Sequence, residues 1–130
     1  MESQLLSICA SKNTPQVFWD ASEFTFKGVS YPENADKFYD PIFNVIKSYL
    51  KKGKSNDKLK IVIDFEYFNT STARMLYKLF SLFNEAVNAK DCLIEIDWVY
   101  EFDDFDMIDS GKDFNFMFKY LDFNLTEKAA

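Results

Sequence analysis

Two stretches of strict alternation bracket one long helical stripe, and that arrangement restricts the chain to folds built from strand–helix–strand units. Leu59, Ile61, Ile63, Phe65 and Tyr67 alternate with Lys60, Val62, Asp64 and Glu66. This is the two-residue period of a strand with one buried and one polar face. Ile94, Ile96, Trp98 and Tyr100 alternate in the same way with Glu95, Asp97 and Val99. Between the two strands, Leu76, Leu79, Phe80, Phe83, Ala86 and Val87 recur at helical spacing, in a helix running from Asn69-Thr70-Ser71-Thr72 to about Lys90.

The flanking segments fit the same scheme. Gln16-Val17-Phe18-Trp19-Asp20 and Glu23-Phe24-Thr25-Phe26-Lys27 read as a hairpin across Ala21-Ser22. Ile42, Val45, Ile46, Tyr49 and Leu50 form one helical stripe, stopped by Lys51-Lys52-Gly53 and a loop Lys54-Ser55-Asn56-Asp57. Either Asp40-Pro41 starts that helix after a turn over 34–39, or one longer helix kinks at Pro41. Asp103 to Lys112 is expected as a short acidic helix or turn ended by Gly111. Phe114, Phe116 and Phe118 then alternate as a last strand. Residues 1–15 and Thr126-Glu127-Lys128-Ala129-Ala130 are weakly patterned, and both ends are expected to fray. The expected fold is therefore a single α/β domain over 1–130, with its core at about 15–122. Its mixed sheet has four to five strands, with helices packed mainly on one face and a wet opposite face.

Composition narrows the function classes. Fifteen Lys plus Arg against 21 Asp plus Glu give a net charge of −6 in 130 residues, which argues against nucleic acid or an anionic membrane as main partner. There is no His, which removes the commonest general base and most zinc sites. Cys9 and Cys92 have no metal-ligand spacing, and Cys92, opening an apolar run, reads as a small buried thiol. The N-terminus lacks the pattern of a signal peptide, and no apolar stretch approaches a membrane span, so a cytoplasmic location is expected. No cofactor is called for.

Asn69, Thr70, Ser71 and Thr72 cluster hydroxyls and an amide where a strand ends and a helix begins. They can cap the helix by accepting from its free N–H groups. They can also carry a phosphate, which would meet those N–H groups and the positive end of the helix dipole, adding roughly −1.5 to −2 charges. Tyr31-Pro32-Glu33-Asn34 is either a turn with Asn34 as a helix cap, or a partner surface beside the hydroxyl turn. The acidic run Glu101-Phe102-Asp103-Asp104-Phe105-Asp106, continuing to Asp109 and Asp113, does not have the spacing of a calcium loop. It is a solvated face or a docking patch for a basic partner. Lys51, Lys52, Lys54, Lys58 and Lys60 read as a helix end, a loop and a guarded strand edge.

The combination Gly28-Val29-Ser30-Tyr31-Pro32-Glu33-Asn34, Tyr67-Phe68-Asn69-Thr70-Ser71 and Trp98-Val99-Tyr100-Glu101 resembles the SiaC family of bacterial regulatory phosphoproteins over roughly residues 15–122. The resemblance implies a fold like the STAS domain and a partner-switching role. It implies a cognate serine/threonine kinase that phosphorylates the threonine after the Asn, and a PPM-type phosphatase that reverses it. It also implies an output partner, in the best-known system a diguanylate cyclase. Carried onto this chain, the phosphosite is Thr70, with Ser71 and Thr72 as rivals, and Tyr31, Pro32, Glu33, Asn34, Asn69 and Ser71 form the partner surface. This makes the chain a non-enzymatic signalling module. The alternatives are an adaptor of the same fold that is never phosphorylated, and an enzyme using a carboxylate pair, Asp64 with Glu66 or Asp97.

Overall fold

The computed structural model describes residues 6–20, 22–52, 58–89 and 92–129. Strands β1 (Leu6–Ile8), β2 (Gln16–Trp19), β3 (Glu23–Ser30), β4 (Lys58–Phe68), β5 (Leu93–Tyr100) and β6 (Asp122–Glu127) form a mixed sheet in chain order. The β1–β2 and β2–β3 pairs are antiparallel, with Trp19 opposite Phe24 at the expected hairpin. The remaining pairs are parallel and are joined by helices α1 (Ala35–Lys52), α2 (Thr70–Asn88) and α3 (Phe105–Met117). The crossovers between successive neighbours place all three helices on one face, where Tyr39 of α1 meets Phe26, and Phe80 of α2 and Phe114 of α3 meet Trp98. Alternate strand positions point into that layer: Trp19, Phe24, Phe26, Ile61, Ile63, Ile96 and Trp98 are all fully buried among residues of the helices. Asp64, Glu95, Asp97 and Asn124 stand on the other face, partly or wholly exposed.

The sheet has six strands where four to five were expected, because pairing continues at both ends. Leu6 to Ile8 pair with β2, and Asp122–Glu127 pair with β5. The strand expected over Phe114, Phe116 and Phe118 is instead the end of α3. Its buried positions Met107, Gly111 and Phe114, followed by Phe118 just past the helix, recur at helical spacing, whereas Phe116 is exposed. Gly111 hides the pattern. It does not stop the helix but lies inside it against the Trp98 indole, where an added Cβ would sit 2.6 Å from Cδ1. The indole Nε1 donates to the Met107 carbonyl at 2.9 Å, so α3 is fixed on β5 by a hydrogen bond as well as by burial.

Helix α1 is the longer of the two alternatives and runs through Pro41, which is exposed. The expected stop at Gly53 and the loop at 54–57 lie outside the described residues, as does Lys90, while α2 closes at Ala89. Among the described residues no helix is long and apolar enough to cross a membrane.

One register shift governs the rim where the parallel strands end. Gly28 pairs with Phe65 but Val29 pairs with Tyr67, so Glu66 has no opposite residue. Gly28 adopts φ 117°, a conformation costly for any residue with a Cβ. Alternation along β4 consequently breaks after Phe65. Tyr67, which the period alone places on the apolar face, is turned out to 54% exposure.

Candidate functional site

The C-terminal ends of β3 and β4 are held together by main-chain and hydroxyl bonds. The Ser30 carbonyl accepts from the Asn69 N–H at 3.1 Å and from the Thr72 hydroxyl at 3.0 Å, which uses both lone pairs. Ser30 Oγ lies 2.8 Å from Thr72 Oγ1 and 2.8 Å from Tyr39 Oη. One proton assignment satisfies all three hydroxyls. Tyr39 donates to Ser30 Oγ, Ser30 to Thr72 Oγ1, and Thr72 to the Ser30 carbonyl. Burial pushes the Tyr39 phenol up from 10.0 to about 12, and the nearby Ser30 and Thr72 hydroxyls offset only part of that effect. Strand β3, helix α1 and the start of α2 are thus tied by one buried relay.

The hydroxyl turn divides into distinct roles. Asn69 is the N-cap of α2, its Oδ1 accepting from the Thr72 N–H at 2.9 Å. Thr72 is fully buried in the relay. Thr70, the first residue of α2, is exposed, and Ser71 is half-buried. No acidic residue stands in the first turn of α2.

The 31–34 turn lies beside it. Asn69 is bonded to Ser30, and the Tyr31 and Tyr67 rings meet edge to face at 5.9 Å. Tyr31 and Glu33 are exposed and Pro32 is buried. Asn34 caps α1, its Oδ1 accepting from the Lys37 N–H at 3.1 Å.

Further along the rim, Glu66, Tyr67, Phe68, Asp104, Asp106, Met107 and Ser110 line a cleft of about 230 Å3. Asp104 is the N-cap of α3 and accepts from the Met107 N–H at 3.1 Å. A second hollow of about 280 Å3 opens beside Asp64, Glu101, Asp104 and Lys128. There the Lys128 ammonium is 3.0 Å from Asp64 Oδ1, a charge contact whose angles are not those of a directed hydrogen bond, and 3.7 Å from Glu101. Contact with Asp64 raises the Lys128 pKa against the effect of partial desolvation. Asp97 instead accepts from the Thr126 hydroxyl. The carboxylates Asp64 and Asp97 therefore have separate partners. Among the described residues no group of His, Cys, Asp and Glu is arranged to hold a metal ion. Cys9 is exposed and Cys92 is half-buried.

Tyr39 and Lys128 do not stand out in the sequence, and Ser30 does so only as part of the Gly28–Asn34 stretch, with nothing to mark its hydroxyl as a buried hydrogen-bonding group. Gly28, which the structure places within β3, is the one local signal of a bulge there.

Comparison with known proteins gives a consistent picture. The model of the SiaC family regulatory phosphoproteins matches residues 8–128. An uncharacterised protein of Pseudomonas aeruginosa strain UCBPP-PA14 is 26% identical over 83 residues, 62% of this chain, and the match spans 64% of that relative, just under two thirds of its length. The crystal structure of apo-SiaC from Pseudomonas aeruginosa superposes with a TM-score of 0.80 at 22% identity, over 98% of this chain and 99% of that one. A chain of the crystal structure of the diguanylate cyclase SiaD in complex with its activator SiaC, from the same organism, gives 0.82 at 21% identity, over 96% of this chain and 99% of that one. At such identity the structural likeness is one of fold. The family assignment comes from the sequence match, which takes in all but the ends: the chain belongs to the SiaC family of regulatory phosphoproteins.

Proposed function

We propose that the chain is a non-enzymatic bacterial signalling protein switched by reversible phosphorylation of Thr70. A serine/threonine kinase adds the phosphate and a PPM-type phosphatase removes it. The unmodified form binds an output partner of the diguanylate cyclase class, by analogy with the SiaD–SiaC complex. The observation that carries this reading is the split between the hydroxyls. Thr70 is exposed at the first position of a long helix, while Thr72 is buried and fully hydrogen-bonded. Free N–H groups and the helix dipole favour an anion at that position. Arg74, one turn on, is exposed and makes no ion pair among the described residues, which leaves a guanidinium near the site. Tyr31, Glu33, Asn34 and Ser71 form the surface that the kinase and the output partner read, with the buried Pro32 and the capping Asn69 holding its shape.

Site-resolved phosphopeptide mass spectrometry on protein from its native cells tests the switch. Phosphate on Thr70, lost in Thr70→Ala, is the expected result. Phosphate on Ser71 would move the site by one residue. A well-covered peptide that is never modified under several growth conditions would make the chain an adaptor of the same fold.

A further inference from the structure

We infer that the cleft between the end of β4 and the start of α3 is a docking surface for a basic, amphipathic segment of a partner protein. Exposed aromatics stand in the cleft and beside it in the chain. Tyr67 lines the cleft at 54% exposure, and Phe102 and Phe105, on either side of the lining residue Asp104 in the chain, are each 70% exposed. Apolar area of this kind marks interaction sites when it is contiguous and rimmed by polar groups.

The charge is of one sign. Glu66, Asp104 and Asp106 line the cleft with no cation among the lining residues. The neighbouring Glu101, Asp103, Asp109 and Asp113 extend the field, opposed nearby by Lys112 and by Lys128, which is already paired with Asp64 and Glu101. Such a field repels nucleic acid and anionic lipid and draws in Lys and Arg. Phe68 and Met107 supply apolar lining for the stem of a long basic side chain. The Tyr67 ring offers a face to its cationic head. The occupant is therefore a segment carrying Lys or Arg together with apolar residues.

This inference rests on the reading of the chain as a partner-binding regulator, but not on phosphorylation of Thr70. The test uses unmodified full-length protein and a defined probe, a synthetic helical peptide of Arg and Leu, followed by amide chemical shifts. A matched peptide with Glu for Arg is the control. Shifts should centre on Tyr67, Asp104 and Met107, and affinity should fall about tenfold or more between about 50 and 300 mM salt. The charge-reversed Glu66→Lys/Asp106→Lys protein should lose about tenfold or more in affinity. Phe105→Ser, at a solvent-facing position, should weaken binding while keeping the native spectrum, which separates docking from folding. Absence of binding, equal binding of the Glu peptide, shifts centred elsewhere, or affinity unchanged in both variants would each overturn the assignment. Phosphopeptide mapping can fail without touching this result, and the reverse also holds.

Discussion

Thr70 and Thr72 are chemically identical and two residues apart, yet one faces solvent and the other closes a buried relay with Ser30 and Tyr39. The difference is one of helical geometry, since a step of two residues turns a side chain to the opposite side of the helix. It sets two measurable costs. Thr72→Val keeps the shape but leaves the Ser30 hydroxyl and carbonyl short of a partner, and should cost about 1–3 kcal/mol in urea unfolding. Thr70→Val removes nothing buried and should stay within about 0.5 kcal/mol. Equal losses in the two variants would contradict the relay. Asn69→Ala should cost about 1 kcal/mol through the lost cap, with the helix otherwise retained in circular dichroism. The sequence places three hydroxyls at this junction but does not divide them. What divides them is the partner at the end of β3, some forty residues away in the chain, which no local pattern reveals.

At the level of elements, the long strands and helices were legible because their apolar periods are unbroken over many residues. The period of β4 held from Leu59 to Phe65 and failed only at Tyr67, where Gly28 on the neighbouring strand inserts the register shift. A short helix is expected over Asp103 to Lys112, but its continuation past Gly111 is not, because one of its inward positions is a glycine, chosen for lack of bulk and invisible to any scale of hydrophobicity. Two substitutions test these explanations. Gly111→Ala gains helix propensity of about 1 kcal/mol, but drives a methyl to 2.6 Å from a rigid indole. We expect a net loss of about 1–3 kcal/mol and a change in Trp98 fluorescence. Gly28→Ala has room for its methyl, with the nearest atom 3.9 Å away, but not the backbone conformation. It should cost about 1–2 kcal/mol, and should shift the Tyr31–Tyr67 ring resonances as the bulge relaxes. A neutral Gly28→Ala would mean that φ 117° is not required.

Over the whole molecule, the alkaline limb of stability reports the burial of Tyr39. The Tyr39 phenol titrates near 12 in the folded protein and near 10.0 unfolded. A raised folded pKa contributes stability that is complete below pH 10 and lost as pH rises toward 12. The gap corresponds to about 3 kcal/mol. Lys128, also raised, loses its contribution in the alkaline direction too. Tyr39→Phe should be less stable at neutral pH, having lost a hydrogen bond, yet its stability should decline less steeply above pH 10 than that of the wild type. Parallel decline would show that Tyr39 is not the group responsible. The rim as a whole was only half legible. Its hydroxyl turn lies in one stretch of sequence, whereas the acidic cleft is assembled from the end of β4 and the start of α3, and Lys128 arrives from the far end of the chain. That assembly has a consequence for biosynthesis. Each strand pairs with the one made just before it, so the sheet can lengthen in the order of translation and no strand need wait for a later one. Among the described residues β6 pairs only with β5, so the side that grows last keeps an unpaired edge. The exposed carboxylates of Asp122 and Glu127 put negative charge at both ends of that strand, the kind of feature that disfavours pairing with a further strand.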